Sequence, residues 1–104
     1  MYRVTTPTHS FTLPSDTSDY TEIQVSYKQG DTKLVKHYEN GQLPEGMTLD
    51  GNVVKIRLSQ TETKAFSKGQ VYAQVRTLDA NGDAYASVQF ELYVNDVISE
   101  DILS

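Results

Sequence analysis

The stretch LDANGDAYAS, Leu78 to Ser87, decides how this chain is read. Asp79, Asn81 and Asp83 set three oxygen-bearing side chains two residues apart, as a calcium loop does, whereas Asn-Gly is also the commonest signal for a tight β-turn. An EF-hand-type loop needs glycine at its sixth position and a bidentate glutamate at its twelfth. Counted from Asp79, those positions hold Ala84 and Phe90. The calcium reading fails where it is most demanding. With Asn81-Gly82 as the centre of a type I′ turn, Thr77 pairs with Ala86, Val75 with Val88, Ala73 with Phe90 and Val71 with Leu92, all small or apolar. The other face pairs Leu78 with Tyr85, Arg76 with Ser87, Gln74 with Gln89, Tyr72 with Glu91 and Gln70 with Tyr93, mainly polar. This sorting predicts an antiparallel hairpin over 70–94 with one core face and one outward face.

The same alternation extends upstream. Residues 9–13, 23–27 and 32–38 read as strands, joined through the polar run Ser15–Asp19 and a turn at Lys28–Asp31. In 32–38 either Leu34, Lys36 and Tyr38 or Val35 and His37 face inward, and the pattern does not choose. Residues 40–46 form a loop. Residues 47–58 form a hairpin about Asp50-Gly51 that sets Met47 opposite Val54. Ser59-Gln60-Thr61-Glu62 is a capping box, so a short helix over residues 60–66 follows, anchored by Ala65 and Phe66 and stopped by Gly69. Residues 97–103 form a brief amphipathic coda. About seven strands and one short helix imply an all-β, antiparallel β-sandwich, with a small barrel as the alternative. The 104 residues make a single domain, 1–104.

Composition narrows the chemistry. With 38% hydrophobic and 22% charged residues the chain is globular, and no apolar run approaches the ~20 residues of a membrane helix. The absence of cysteine leaves no disulfide, thiolate zinc site or thiol nucleophile. A net charge of −5 with 9 scattered basic residues argues against nucleic acid as a partner. The first residues carry no basic and apolar signal-peptide pattern, so intracellular synthesis is expected.

No residue pattern points to catalysis, a cofactor or a metal. His9 and His37 read as ordinary strand positions, the 6 glycines stand singly as turns require, and no serine sits in a nucleophile-elbow context. Asp16, Asp19, Glu22 and Glu45 read as solvated charge in turns and loops. The tyrosines are more informative. Tyr72, Tyr85 and Tyr93 are expected to share the non-core face of the last hairpin with Arg76, as a contact surface for a protein or a sugar.

Several stretches carry a resemblance: Thr6–Pro14, Val54–Phe66, Val71–Arg76, Ala84–Ser87 and the closing Asp96–Leu103. Together they resemble the small uncharacterised proteins encoded among tail and baseplate genes in prophages of Gram-positive bacteria. The resemblance spans nearly the whole chain and is weakest over 40–52. Its motifs are structural and transfer no catalytic residue. It implies an immunoglobulin-like sandwich and a non-enzymatic structural or adaptor component of a phage tail or baseplate. Its partners would be other phage structural proteins or copies of itself, and it would be incorporated in the virion. A carbohydrate-binding module for a bacterial surface glycan is the alternative.

Overall fold

The computed structural model describes residues 1–104 as two antiparallel sheets facing one another. The chain runs through β1 (Thr8–Thr12), a 3-10 turn (Thr17–Asp19), β2 (Tyr20–Gln29), β3 (Thr32–Glu39), β4 (Met47–Asp50) and β5 (Val53–Arg57). It continues through α1 (Gln60–Lys64), β6 (Gly69–Asp79), β7 (Ala84–Ala86) and β8 (Phe90–Val94). One sheet has the order β1-β5-β4; in the other, β3-β2-β6 is followed by β7 and β8, both paired to the far side of β6. This is the strand order of an immunoglobulin-like sandwich, in which B, E and D form one layer and C′, C, F and G the other. The place of strand A beside β1 is open. The first residues instead make one parallel bridge, Tyr2 with Asn95, at the end of β8.

The core lies between the layers. Phe11, Val54, Ile56 and Met47 of the smaller sheet meet Ile23, Val25, Tyr27, Val71, Ala73 and Val75 of the larger one. Each alternates along its strand with an outward residue, which is why the period-2 pattern read as half-buried strand. In β3 it is Leu34, Lys36 and Tyr38 that turn inward, with Val35 and His37 outside. Lys36 is admitted to the interior because its ammonium has partners there. Its Nζ is 2.6 Å from Glu62 Oε2 and donates to the Glu45 carbonyl oxygen at 2.9 Å.

Four sequence expectations change. The final turn is not type I′: Gly82 N donates to Asp79 O and Asp79 N to Asp83 O, a three-residue loop in which Gly82 is at φ 82° while Asn81 does not take the positive φ that a type I′ turn needs. Asp79 Oδ1 accepts both the Asn81 and the Asp83 amides, which holds the loop closed. The extra loop residue shifts β7 by one, giving Leu78↔Ala84, Thr77↔Tyr85 and Arg76↔Ala86. Between Ala86 and Phe90 the return strand then spends three residues against two on β6, a bulge. This restores Ala73↔Phe90, Val71↔Leu92, Tyr72↔Glu91 and Gln70↔Tyr93. Ser87 takes the place expected of Val88: its amide donates to Val75 O, its hydroxyl accepts the Val75 amide, and Val88 is 75% exposed.

The second change is in the β4–β5 hairpin, where the turn is Gly51-Asn52 and Met47 faces Ile56 instead of Val54. Because the slide is two residues in register, every side chain keeps its face. Third, α1 spans Gln60–Lys64 and is anchored by buried Thr63 and Phe66, while Ala65, its C-cap, is exposed. The Thr63 hydroxyl accepts the Thr5 amide at 3.0 Å, fastening the helix to the segment before β1. The capping box is present, with Glu62 N donating to Ser59 Oγ and Ser59 N to Glu62 Oε1. Fourth, the strands number eight, because the bulge divides the last one into β7 and β8.

Candidate functional site

The outward face of the larger sheet is built by register. Gln24 lies between Arg76 and His37, Ser26 between Gln74 and Val35, and Lys28 between Tyr72 and Lys33. Across β6, Tyr72 faces Glu91 and Gln70 faces Tyr93. Gln70 links them, since its Nε2 donates to Glu91 Oε2 at 3.0 Å and its Oε1 accepts from the Tyr72 hydroxyl at 3.3 Å. Tyr72 and Tyr93 are 41% and 52% exposed. Three of the four expected contact residues, Tyr72, Tyr93 and Arg76, therefore share this face.

Tyr85 does not. The three-residue turn sets it opposite Thr77, on the side of β6 that carries Val75 and Ala73. It lines a cleft of about 500 Å³ at the open margin between the sheets, with Phe11, Leu13, Tyr20, Val75 and Phe90. Phe11 and Phe90 meet there with ring centroids 5.5 Å apart. Phe90 is 39% exposed because no strand closes that margin.

A depression of about 640 Å³ occupies the outward face around Tyr72, lined by Gln24, Gln74, Gln89, Lys28, Lys33 and Arg76 among others. Lys28 and Lys33 face each other directly across the β2–β3 hairpin, a like-charge pairing that by itself disfavours the sheet. None of the three cations has an ion-pair partner. On a chain of net charge −5 this is a concentrated field of positive charge, with amides and an aromatic face beside it. Such a surface can donate hydrogen bonds to carboxylate, phosphate or sugar oxygens and stack an apolar plane on Tyr72. The sequence reading, which set the turn at Lys28–Asp31, missed this pairing: β2 runs on to Gln29, the turn is Gly30-Asp31, and Lys28 therefore stands opposite Lys33.

Further along the same face, Glu22, His37 and Glu39 bring one ligand atom each within 4.8 Å of the others. His37 Nε2 and Glu22 Oε1 are 2.8 Å apart. Glu22, read from sequence as turn charge, is in fact on β2 opposite Glu39. The overlooked sign was His37-x-Glu39, two residues of one strand on one face. One imidazole and two carboxylates suit a divalent cation chemically, but all three side chains keep access to water and His37 and Glu22 already satisfy each other.

His9 points between the sheets. Its Nδ1 and the Tyr27 hydroxyl share a hydrogen bond of 2.9 Å, with the rings 5.6 Å apart. Burial, helped by the positive N-terminus, pushes the His9 pKa down. Burial, with the Glu62 charge behind it, pushes the Tyr27 pKa up. Both shifts favour the neutral forms, as a polar pair inside an apolar layer requires. Burial also pushes the Glu62 carboxyl up, but hydrogen bonds from Lys36 and the Ser59 amide outweigh it and hold the group below its ordinary value. These four side chains are mutually satisfied, and no buried polar side-chain atom is left without a partner.

Compared with known proteins, the chain matches no family model, no curated protein and no solved structure.

Proposed function

We propose that this domain is a non-enzymatic adaptor that works by protein contact, as a structural component of a phage tail or baseplate. The setting comes from the sequence resemblance. The observation that supports contact is the outward face of the larger sheet, where Tyr72, Tyr93 and Arg76 stand exposed on a rigid three-strand backing. Tyrosine and arginine, with tryptophan, are enriched among the side chains that carry binding energy at protein interfaces, tyrosine because it buries large area at low entropic cost and arginine because its planar guanidinium donates several hydrogen bonds. The three unpaired cations would favour an acidic partner surface and hasten the encounter. The test is co-elution of the purified chain with the structural proteins encoded beside its gene. A complex weakened at least tenfold by Tyr93→Ala or Arg76→Ala supports the reading. Failure of every neighbouring structural protein to bind overturns it.

The depression around Tyr72 favours a second reading, a module for an acidic bacterial surface glycan. Its amides and cations match sugar hydroxyls and carboxylate or phosphate groups. Tyr93 is not among the residues lining it, so the two readings separate by mutation. Glycan binding measured by calorimetry would fall with Lys33→Ala or Gln74→Ala and be indifferent to Tyr93→Ala. Protein binding would show the opposite dependence on Tyr93.

A further inference from the structure

Every open sheet leaves two edges, and three of the four here are obstructed. The β3 edge presents Lys33 and His37 and carries the inward-pointing Lys36. The β7–β8 edge is broken by the bulge at 87–89 and its end is occupied by the first residues, with Asn95 N donating to Met1 O and Arg3 N to Asn95 O. The β4 strand is four residues long. Charge, bulges and shortness are the devices by which proteins prevent strand addition.

β1 has none of the charge or irregularity. Leu13 N donates to Asn52 O and Leu58 N to Pro7 O, which fixes the hydrogen-bonded pairs of the β1–β5 ladder as the odd-numbered residues of β1. The backbone groups of Thr8, Ser10 and Thr12 therefore point away from β5, to the side where strand A of the immunoglobulin plan would lie. Their side chains are exposed, small and uncharged.

We propose that this edge pairs with the same edge of a second copy, antiparallel about a two-fold axis through Ser10. The pattern is self-complementary: Ser10 meets Ser10, and Thr8 meets Thr12 of the other copy, twice. Three facing pairs exchanging two bonds each give six backbone hydrogen bonds and two cross-strand threonine pairs. The two smaller sheets become one six-stranded sheet, β4-β5-β1 continued through the partner's three strands. Side chains directly across a ladder share a face, so His9 and Phe11 of the second copy fall on the inner side, over the mouth of the 500 Å³ cleft that Phe90 and Tyr85 leave uncovered. A threonine- and serine-bearing edge brings no charge repulsion to the contact, whereas pairing β3 with itself would set Lys33 against His37. The contact is isologous and closes at two copies. It uses the sheet opposite the tyrosine-bearing face, so it stands or falls independently of the adaptor reading.

Sedimentation equilibrium of the full chain across the micromolar to millimolar range tests it. The wild type is expected to dimerise. Ser10→Pro removes an amide that the monomer does not use, so this variant is expected to stay folded by circular dichroism and remain monomeric. Two surface variants make the test independent of that proline. Thr8→Lys with Thr12→Lys, and Thr8→Glu with Thr12→Glu, are each expected to be monomeric alone, because like charges face each other, and to form a heterodimer when mixed. A wild type that stays monomeric throughout the range overturns the proposal. So does a Ser10→Pro variant that dimerises like the wild type, or a mixture of the charged variants that fails to associate.

Discussion

Lys36 Nζ and Glu62 Oε2 lie 2.6 Å apart, joining the edge strand β3 of one sheet to the helix that follows β5 of the other. Glu62 does two things at once, since its other oxygen accepts the Ser59 amide and starts the helix. The pair is thus an ionic tie between layers that are also joined by apolar contact and by the His9–Tyr27 hydrogen bond. Lys36 turns its side chain into the interior of an edge strand, where an unpartnered ammonium would not be tolerated.

Removing one partner is therefore worse than removing both. Lys36→Met strands a partly buried carboxylate and is expected to cost about 1–3 kcal/mol. That is less than the ~3–5 kcal/mol of a wholly buried pair, because Glu62 retains some water. Adding Glu62→Gln to Lys36→Met is expected to recover part of that loss. Urea unfolding of the two singles and the double gives the coupling; additive losses would show that the pair does not interact.

Acid is expected to destabilise the fold in two stages. His9 has a folded pKa below its ordinary 6.5, so the unfolded chain binds a proton first and stability declines as pH falls below that value. Glu62 has a folded pKa below its ordinary 4.5, so its contribution is present above that value and is lost as pH falls through the lower, folded one. Melting temperatures measured from neutral pH downward should show both declines. His9→Gln should flatten the first and leave the second.

Two loop glycines should respond differently to the same substitution. Gly46 has φ 84° and a Cβ there would run into the Arg57 carbonyl oxygen, which belongs to the backbone and cannot swing away. Gly41 has φ 83° and open space around it. Gly41→Ala is expected to cost about 1 kcal/mol of left-handed backbone strain, and Gly46→Ala at least ~1 kcal/mol more as the β4–β5 hairpin shifts. Denaturant midpoints compare them directly.

The bulge makes an equally direct prediction. Val88→Asn is expected to change stability by no more than about 0.5 kcal/mol, since the side chain is in solvent. Val71→Ala, in the closed core, is expected to cost about 2 kcal/mol. Equal costs at the two positions would place Val88 in the core and remove the bulge.

The sequence by itself determined the class of fold, the strand positions, the capping box and the sorting of Val71, Ala73 and Val75 to the inside, because alternation with period two and local hydrogen-bonding chemistry are properties of short segments. It could not choose between the two faces of β3, since the choice rests on whether Lys36 finds Glu62, some two dozen residues later in the chain and across the sandwich. It also missed that one extra residue in the loop at Asp79–Asp83 is cancelled by one more at Ser87–Gln89. Both deviations are invisible to a pattern whose parity they jointly preserve, yet between them they move Tyr85 from the outward face to the cleft and Val88 from the core to the solvent. Which residues share a surface, and which strand edge is left open, are settled only when the two sheets close on each other, because apolar burial fixes a strand's inward face but leaves its register to the turns and partners that tertiary contact selects.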